Sequence, residues 1–173
     1  MSPFRFAFVA LLLPLALAGA EPLPVGVSVP VFRAPSYDQD RNAVDLGGGL
    51  GKGTTLVFFF SKTGRAADTA EALALRDFYT DLQARGIAVI GIGIDGPAEL
   101  NAFRSEQQLP FLLISDPQRD VAGLFGVDTA KEGGDARQSF LIRDGAIVWR
   151  GLDVKPKDQV KAVLAYVAAA VGR

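Results

Sequence analysis

The stretch "SKTGRAADTAEALALRDFY", residues 61–79, follows the apolar run Leu56-Val57-Phe58-Phe59-Phe60. A buried strand that delivers a polar loop and then a helix is a common way to present a reactive group. The group in that position here is a carboxylate, Asp68, with a second carboxylate, Glu71, three residues on. A pair of carboxylates can divide acid and base roles between them. Read locally, Asp68 is a helix N-cap, and Glu71 completes a pattern like a capping box.

The rest of the inventory narrows the chemistry. The chain has 173 residues with no cysteine and no histidine. There is no thiol nucleophile, no Cys or His metal ligand and no imidazole base. A metal site would have to be built from oxygen alone, and no clustered carboxylate loop of the calcium-binding kind is present. No cofactor is expected. The chain is 21% charged with a formal net charge of −1, and its basic residues are scattered. A surface that tracks phosphates, and hence a nucleic-acid partner, is not expected.

Residues 1–20 stand apart. A short basic start, Met1 to Arg5, precedes the apolar run Phe6 to Leu17, and Ala18-Gly19-Ala20 ends it with small residues. This is the layout of a secretory signal peptide. The run is shorter than the ~20 residues that span a bilayer comfortably. The expected organisation is a signal peptide over 1–20 and one domain over 21–173. The product would be exported, periplasmic or secreted, with no stable membrane insertion after cleavage.

The elements that must position Asp68 follow from periodicity. Residues 21–36 read as an extended opening segment, and 37–53 as a short hairpin with a glycine-rich turn. Residues 54–61 form a continuous β-prone run. From Asp68 to Gln83, Ala72, Leu75, Phe78, Tyr79 and Leu82 recur at helical steps until Gly86. Strand 87–95, a helix from Pro97 to about Gln108, strand 111–116, a short helix over 117–127 and a polar loop at 128–136 follow. Residues 138–151 form a hairpin turning at Asp144-Gly145, and a helix over 156–171 closes the chain. Alternating strands and helices imply a layered α/β domain, and the tight last turn makes the final strands antiparallel. The expected class is a thioredoxin-like mixed central sheet with helices on both faces, ending in a β-hairpin and C-terminal helix.

In order and spacing, "DQDRNAVDL…GKGTTLVFFF", "EALALRDFYTDLQARGIAVIGIGIDGPAELNAFRSEQQLPFLLISD", "VAGLFGV" and "RQSFLIRDGAIVWR" resemble the peroxiredoxins. The similarity is strongest to the bacterioferritin-comigratory type within the AhpC/TSA group, and it extends over nearly all of residues 25–170. It implies thiol-dependent peroxidase activity, with a loop of the form Thr-x-x-Cys and a distant arginine facing the cysteine. On that pattern Arg65 falls on the threonine, Asp68 on the nucleophilic cysteine, Glu71 on a recurrent acidic position and Arg137 on the distant arginine. Leu73 falls where atypical members place a resolving cysteine. A carboxylate suits positive surroundings but has no sulfenic-acid chemistry, so the family reaction has no nucleophile here.

The resemblance also implies an ion pair between Asp68 and Arg137, with Arg65 near. That pair is compatible with the N-cap reading of Asp68. Arg137 could instead pair with Asp135 on the surface, and Arg65 reads as a solvated loop residue. Two glycine motifs weigh little. "GIGIDG", 91–96, has the letters of a dinucleotide fingerprint, with Asp116 twenty residues beyond, but its first two glycines lie inside a strand. They are expected to let a helix pack closely on the sheet. "GGGLGKGT", 47–54, suggests a phosphate loop but has Gly53 where a hydroxyl must follow Lys52. Trp149 reads as packing.

The leading expectation is an exported, cysteine-free member of the peroxiredoxin family that has lost thiol peroxidase activity. It would act by binding an unknown protein partner or a small anion. One alternative keeps an enzyme, with acid–base chemistry at Asp68 and Glu71 and Arg137 as electrophile. The other is an inert structural or interaction module.

Overall fold

The computed structural model describes residues 21–127, 138–152 and 155–171. The proposed signal peptide, the loop at 128–136 and Arg137 lie outside the described residues.

The chain runs through β1 (Ser36–Asp38), β2 (Ala43–Val44), α1 (Leu46–Leu50), β3 (Thr54–Phe60), α2 (Ala66–Asp77) and α3 (Tyr79–Gln83). It continues through β4 (Ile87–Gly93), α4 (Pro97–Glu106), β5 (Leu112–Ser115), α5 (Asp120–Leu124), β6 (Gln138–Arg143), β7 (Ala146–Leu152) and α6 (Pro156–Val171). The seven strands form one mixed sheet in the order β2-β1-β5-β4-β3-β6-β7. Strands β3, β4 and β5 are parallel neighbours, and β6 pairs antiparallel with both β3 and β7.

β3 lies inside the sheet, between β4 and β6, and its sequence is apolar on both faces. Leu56, Phe58 and Phe60 point to one side, where α2, α4 and α6 supply Leu75, Phe103 and Val163. Val57 and Phe59 point to the other, against Leu50 of α1 and Phe125 just past α5. A strand buried on both faces needs this continuous apolar run. At its C-terminal end the chain must leave the sheet, and the polar loop that leads into α2 and Asp68 begins there.

Three elements differ from the sequence reading. The helix expected from Asp68 begins at Ala66 and breaks at Phe78, so α2 and α3 are separate. The glycine-rich segment expected as a turn contains a short helix, α1. Asp45 caps it by accepting from the Gly48 N–H at 2.9 Å, and its leucines are buried. The reason expected for the strand glycines also changes. In register, Phe58 lies beside Gly91 and Phe60 beside Gly93. A Cβ on Gly93 would come 2.2 Å from the Phe60 ring, and one on Gly91 would come 2.7 Å from both Phe58 and Leu113. The glycines make room for aromatic rings of the same core face, not for a helix.

The other glycine motif is held against the β6–β7 turn. The Gly53 N–H donates to Asp144 Oδ1 at 2.9 Å, and the Gly145 N–H donates to the Leu50 carbonyl at 3.0 Å. Asp144 and Gly145 both have positive φ, as a primed hairpin turn requires. Trp149 packs against the core as expected.

Gly93→Ala tests the glycine–ring packing. It should lower unfolding stability by about 1–3 kcal/mol, the usual cost of forcing a methyl group into a filled core. Urea denaturation measures it, and an unchanged midpoint would refute the packing account.

Candidate functional site

Asp68 sits in the first turn of α2, where it is 3% exposed. It is not the N-cap. That position belongs to Arg65, whose backbone is extended and whose side chain makes no capping bond. The helix starts two residues earlier than the apolar periodicity indicates, so Asp68 is the third residue of its first turn and bonds back to the end of β3. Its Oδ2 accepts from the Ser61 hydroxyl at 2.7 Å and from the Lys62 N–H at 3.1 Å.

Arg65 completes this cluster. Its Nη1 donates to Ser61 Oγ at 2.8 Å, and its Nε lies 4.0 Å from Asp68 Oδ2. Ser61 therefore accepts from the guanidinium while it donates to the carboxylate. The reading of Arg65 as a merely solvated loop residue is corrected: its side chain stays partly exposed but is bound at its tip. A carboxylate this far from water needs such donors, because a buried charge without them is costly.

Glu71 does not form the capping-box partner of Asp68. It is 2% exposed and reaches across the sheet end. Its Oε1 accepts from Gln159 Nε2 of α6 at 2.9 Å and from Ser139 Oγ of β6 at 3.2 Å. Gln159 Nε2 also donates to Ser139 Oγ at 2.8 Å. The two buried acidic side chains of α2 are thus each matched to a serine, one at the end of β3 and one on β6. Leu73 is half-buried on the same helix. Arg137 lies outside the described residues, so its expected pairing with Asp68 is not part of this geometry.

The loop is also fixed from the neighbouring strand. The Thr63 N–H donates to Asp95 Oδ2 at 2.6 Å, and the Asp95 carbonyl accepts from Ser115 Oγ at 2.8 Å. The ends of β3, β4 and β5 are tied together by these contacts. Ser61 has a visible sequence position, directly after the strand. Ser139 and Gln159 have none: their link to Glu71 spans 68 and 88 residues and arises only from the sheet order.

What this arrangement can do is hold a fixed negative charge in a polar, mostly enclosed setting. Among the described residues, no group of three or more acidic side chains could hold a metal ion. No described helix is long and apolar enough to cross a membrane.

Comparison with known proteins agrees with the fold. The AhpC/TSA family model matches residues 25–150. A putative peroxiredoxin, bcp, of Haemophilus influenzae is 33% identical over 154 residues, covering 85% of this chain and 97% of the relative. Peroxiredoxin Bcp of Escherichia coli strain K12 is 37% identical over 134 residues, covering 73% and 84%. Among solved structures, peroxidoxin BcpB of Mycobacterium tuberculosis superposes with a TM-score of 0.73 at 24% identity, covering 84% of this chain and 96% of that one. The Xanthomonas campestris bacterioferritin comigratory protein, described for its alkyl peroxide reduction activity, gives 0.74 at 22% identity, covering 85% and 99%.

Replacing Asp68 by alanine would leave the Lys62 N–H and the Ser61 hydroxyl without their acceptor and the Arg65 guanidinium without its nearby counter-charge. Each unsatisfied buried donor costs about 1–3 kcal/mol, so Asp68→Ala should lower stability by at least that much. Asp68→Asn, which keeps one oxygen, should lower it less. Denaturant midpoints of the two variants check the order, and equal midpoints would contradict the cluster.

Proposed function

The chain belongs to the AhpC/TSA family, and from that membership we propose that it is an exported pseudoenzyme of the family. It has no thiol peroxidase activity and acts by binding a partner. The observation that carries this reading is Asp68, buried, with its Oδ2 held by Ser61 and Lys62 beside Arg65, where the resemblance puts the nucleophilic cysteine. The only sulfur in the sequence is that of Met1. Peroxide reduction by a thiolate breaks the O–O bond and leaves the sulfur as sulfenic acid. A carboxylate supplies neither the nucleophile nor the oxidisable atom.

Of the two binding modes, a protein partner is favoured over a small anion at the old nucleophile position. An anion there would meet the Asp68 charge, and the Ser61 and Lys62 donors it would use are already taken. Acid–base catalysis at Asp68 and Glu71 is less favoured for a related reason, since both carboxylates are committed to internal donors.

The site reading is tested by peroxide consumption with a dithiol reductant, wild type beside Asp68→Cys. The wild type should be silent. The variant should consume peroxide at least about tenfold faster than free thiol, the factor that 1.4 kcal/mol off the barrier gives. Consumption by the metal-free wild type would overturn the proposal. A silent variant would mean that the surroundings of Asp68 no longer suit a thiolate.

Export is supported by the basic start, apolar run and small-residue end of residues 1–20. Expressed in a bacterial host with an outer membrane, the protein should appear in the periplasmic or extracellular fraction. Mass spectrometry should find its N-terminus at or next to Glu21. Intact protein retained in the cytoplasm would refute export.

A further inference from the structure

One hollow of the molecule lies away from Asp68. It lies two strands away, between the segment leading into β1, the end of β5 and α5, and has a volume of about 450 Å³. That is within the size range of small-molecule sites, which are mostly apolar with a few convergent polar groups. Five large apolar side chains are exposed among the described residues, and three of them, Val31, Tyr37 and Leu124, line this hollow. Exposed apolar surface is therefore gathered here rather than scattered, which marks a surface that something covers.

The polar wall presents acceptors. Ser115 spends its hydroxyl proton on the Asp95 carbonyl, so its oxygen faces outward as an acceptor. Asp116 is 5% exposed and accepts from the Val121 N–H at 3.1 Å and the Ala122 N–H at 2.9 Å. A carboxylate has about four lone-pair sites, so capacity remains. Asp120 adds a second carboxylate to the lining, against one guanidinium, that of exposed Arg33. Among the described residues, no cationic side chain lies within ion-pair distance of Asp116; the pairs present are Arg65–Asp68 and Arg76–Asp77. Burial pushes the Asp116 carboxyl above its ordinary value, and the Asp120 charge adds to the rise, against the pull of the backbone N–H groups. A cation brought beside it would relieve that cost.

We propose that this hollow is a binding site for a small organic ammonium ion, its apolar body against Val31, Tyr37 and Leu124 and its charged nitrogen at Asp116 and Ser115. This site is separate from the Asp68 cluster, and the proposal stands or falls independently of the lost peroxidase activity.

The test uses 2-phenylethylammonium as probe, with 2-phenylethanol and 3-phenylpropionate as neutral and anionic counterparts, followed by amide chemical shifts of the full protein at low salt. The ammonium should perturb amides around Tyr37, Asp116 and Leu124. It should bind about tenfold more tightly than the alcohol, as a charge-assisted hydrogen bond allows, and the carboxylate should bind least. Asp116→Asn should bring the ammonium down to the level of the alcohol. Because Asp116 also holds α5, Leu124→Trp serves as a second variant: it fills the hollow from a half-exposed rim position and should weaken ammonium and alcohol alike. The proposal is overturned if the alcohol or carboxylate binds as well as the ammonium, if the shifts lie elsewhere or are absent, or if Leu124→Trp binds undiminished.

Discussion

A carboxylate withdrawn from water must be met by donors, and that constraint organises the polar parts of this fold. Four acidic side chains, Asp38, Asp68, Glu71 and Asp116, are nearly inaccessible. Asp38 accepts from the backbone of Asp40 and Asn42 and so closes the β1–β2 hairpin. Asp116 accepts from the start of α5 and so shapes the turn after β5. Asp68 joins α2 to the end of β3, and Glu71 joins α2 to β6 and α6. Each carboxylate is thus a joint between elements that the apolar core alone would leave free to pivot. Hydrogen bonds to a charged group contribute more than neutral ones, and removing one partner costs more than the bond contributes.

The layered architecture was legible because it rests on periodicity. β3 declared itself by an unbroken apolar run, α6 by Val160, Val163 and Val167 at helical spacing, and the last hairpin by Asp144-Gly145. All of these are local signals. The site was legible only as far as the loop itself. Asp68 and Arg65 are three residues apart, and their proximity follows from the chain. The direction in which Asp68 points did not follow, because it depends on where the helix begins. Ala66 and Ala67 extend α2 beyond the apolar stripe, since alanine favours helix without needing burial. That shift converts an expected cap into an inward-facing acceptor. The partners of Glu71 were out of reach for another reason. They are brought together by the placement of β6 beside β3, which no short stretch of sequence encodes.

The glycines of β4 show how a motif can be right in its letters and wrong in its cause. Gly91 and Gly93 lie on the same core face as Ile87 and Val89. In a strand buried on both sides, two missing side chains would leave a void, and voids are costly in close-packed interiors. Phe58 and Phe60, their registered neighbours on β3, fill that space with rings. The glycine pattern is thus the complement of the Phe-Phe-Phe pattern one strand away, and neither can change alone. This coupling fixes the level at which β3 ends, and so the position of Ser61.

A thiolate and a carboxylate are both anions, so surroundings that suit the family's nucleophile would also suit Asp68 in the proposed alignment. A first-turn helix position, a backbone N–H and a nearby guanidinium favour negative charge whichever atom bears it. Asp68 occupies the Ser61 hydroxyl and the Lys62 N–H from within the chain, whereas a thiolate must leave room for its substrate. If Asp68 stands where the family has its cysteine, as proposed, the exchange turns a reactive site into a structural joint while keeping the helix, the loop and the strand end in place. On the proposed reading that position is closed by its own carboxylate, and recognition uses another surface. The hollow beside Asp116 differs in the respect that matters: its carboxylate is held by backbone N–H groups alone, with no cation in contact among the described residues, so a charge remains there for a ligand to neutralise.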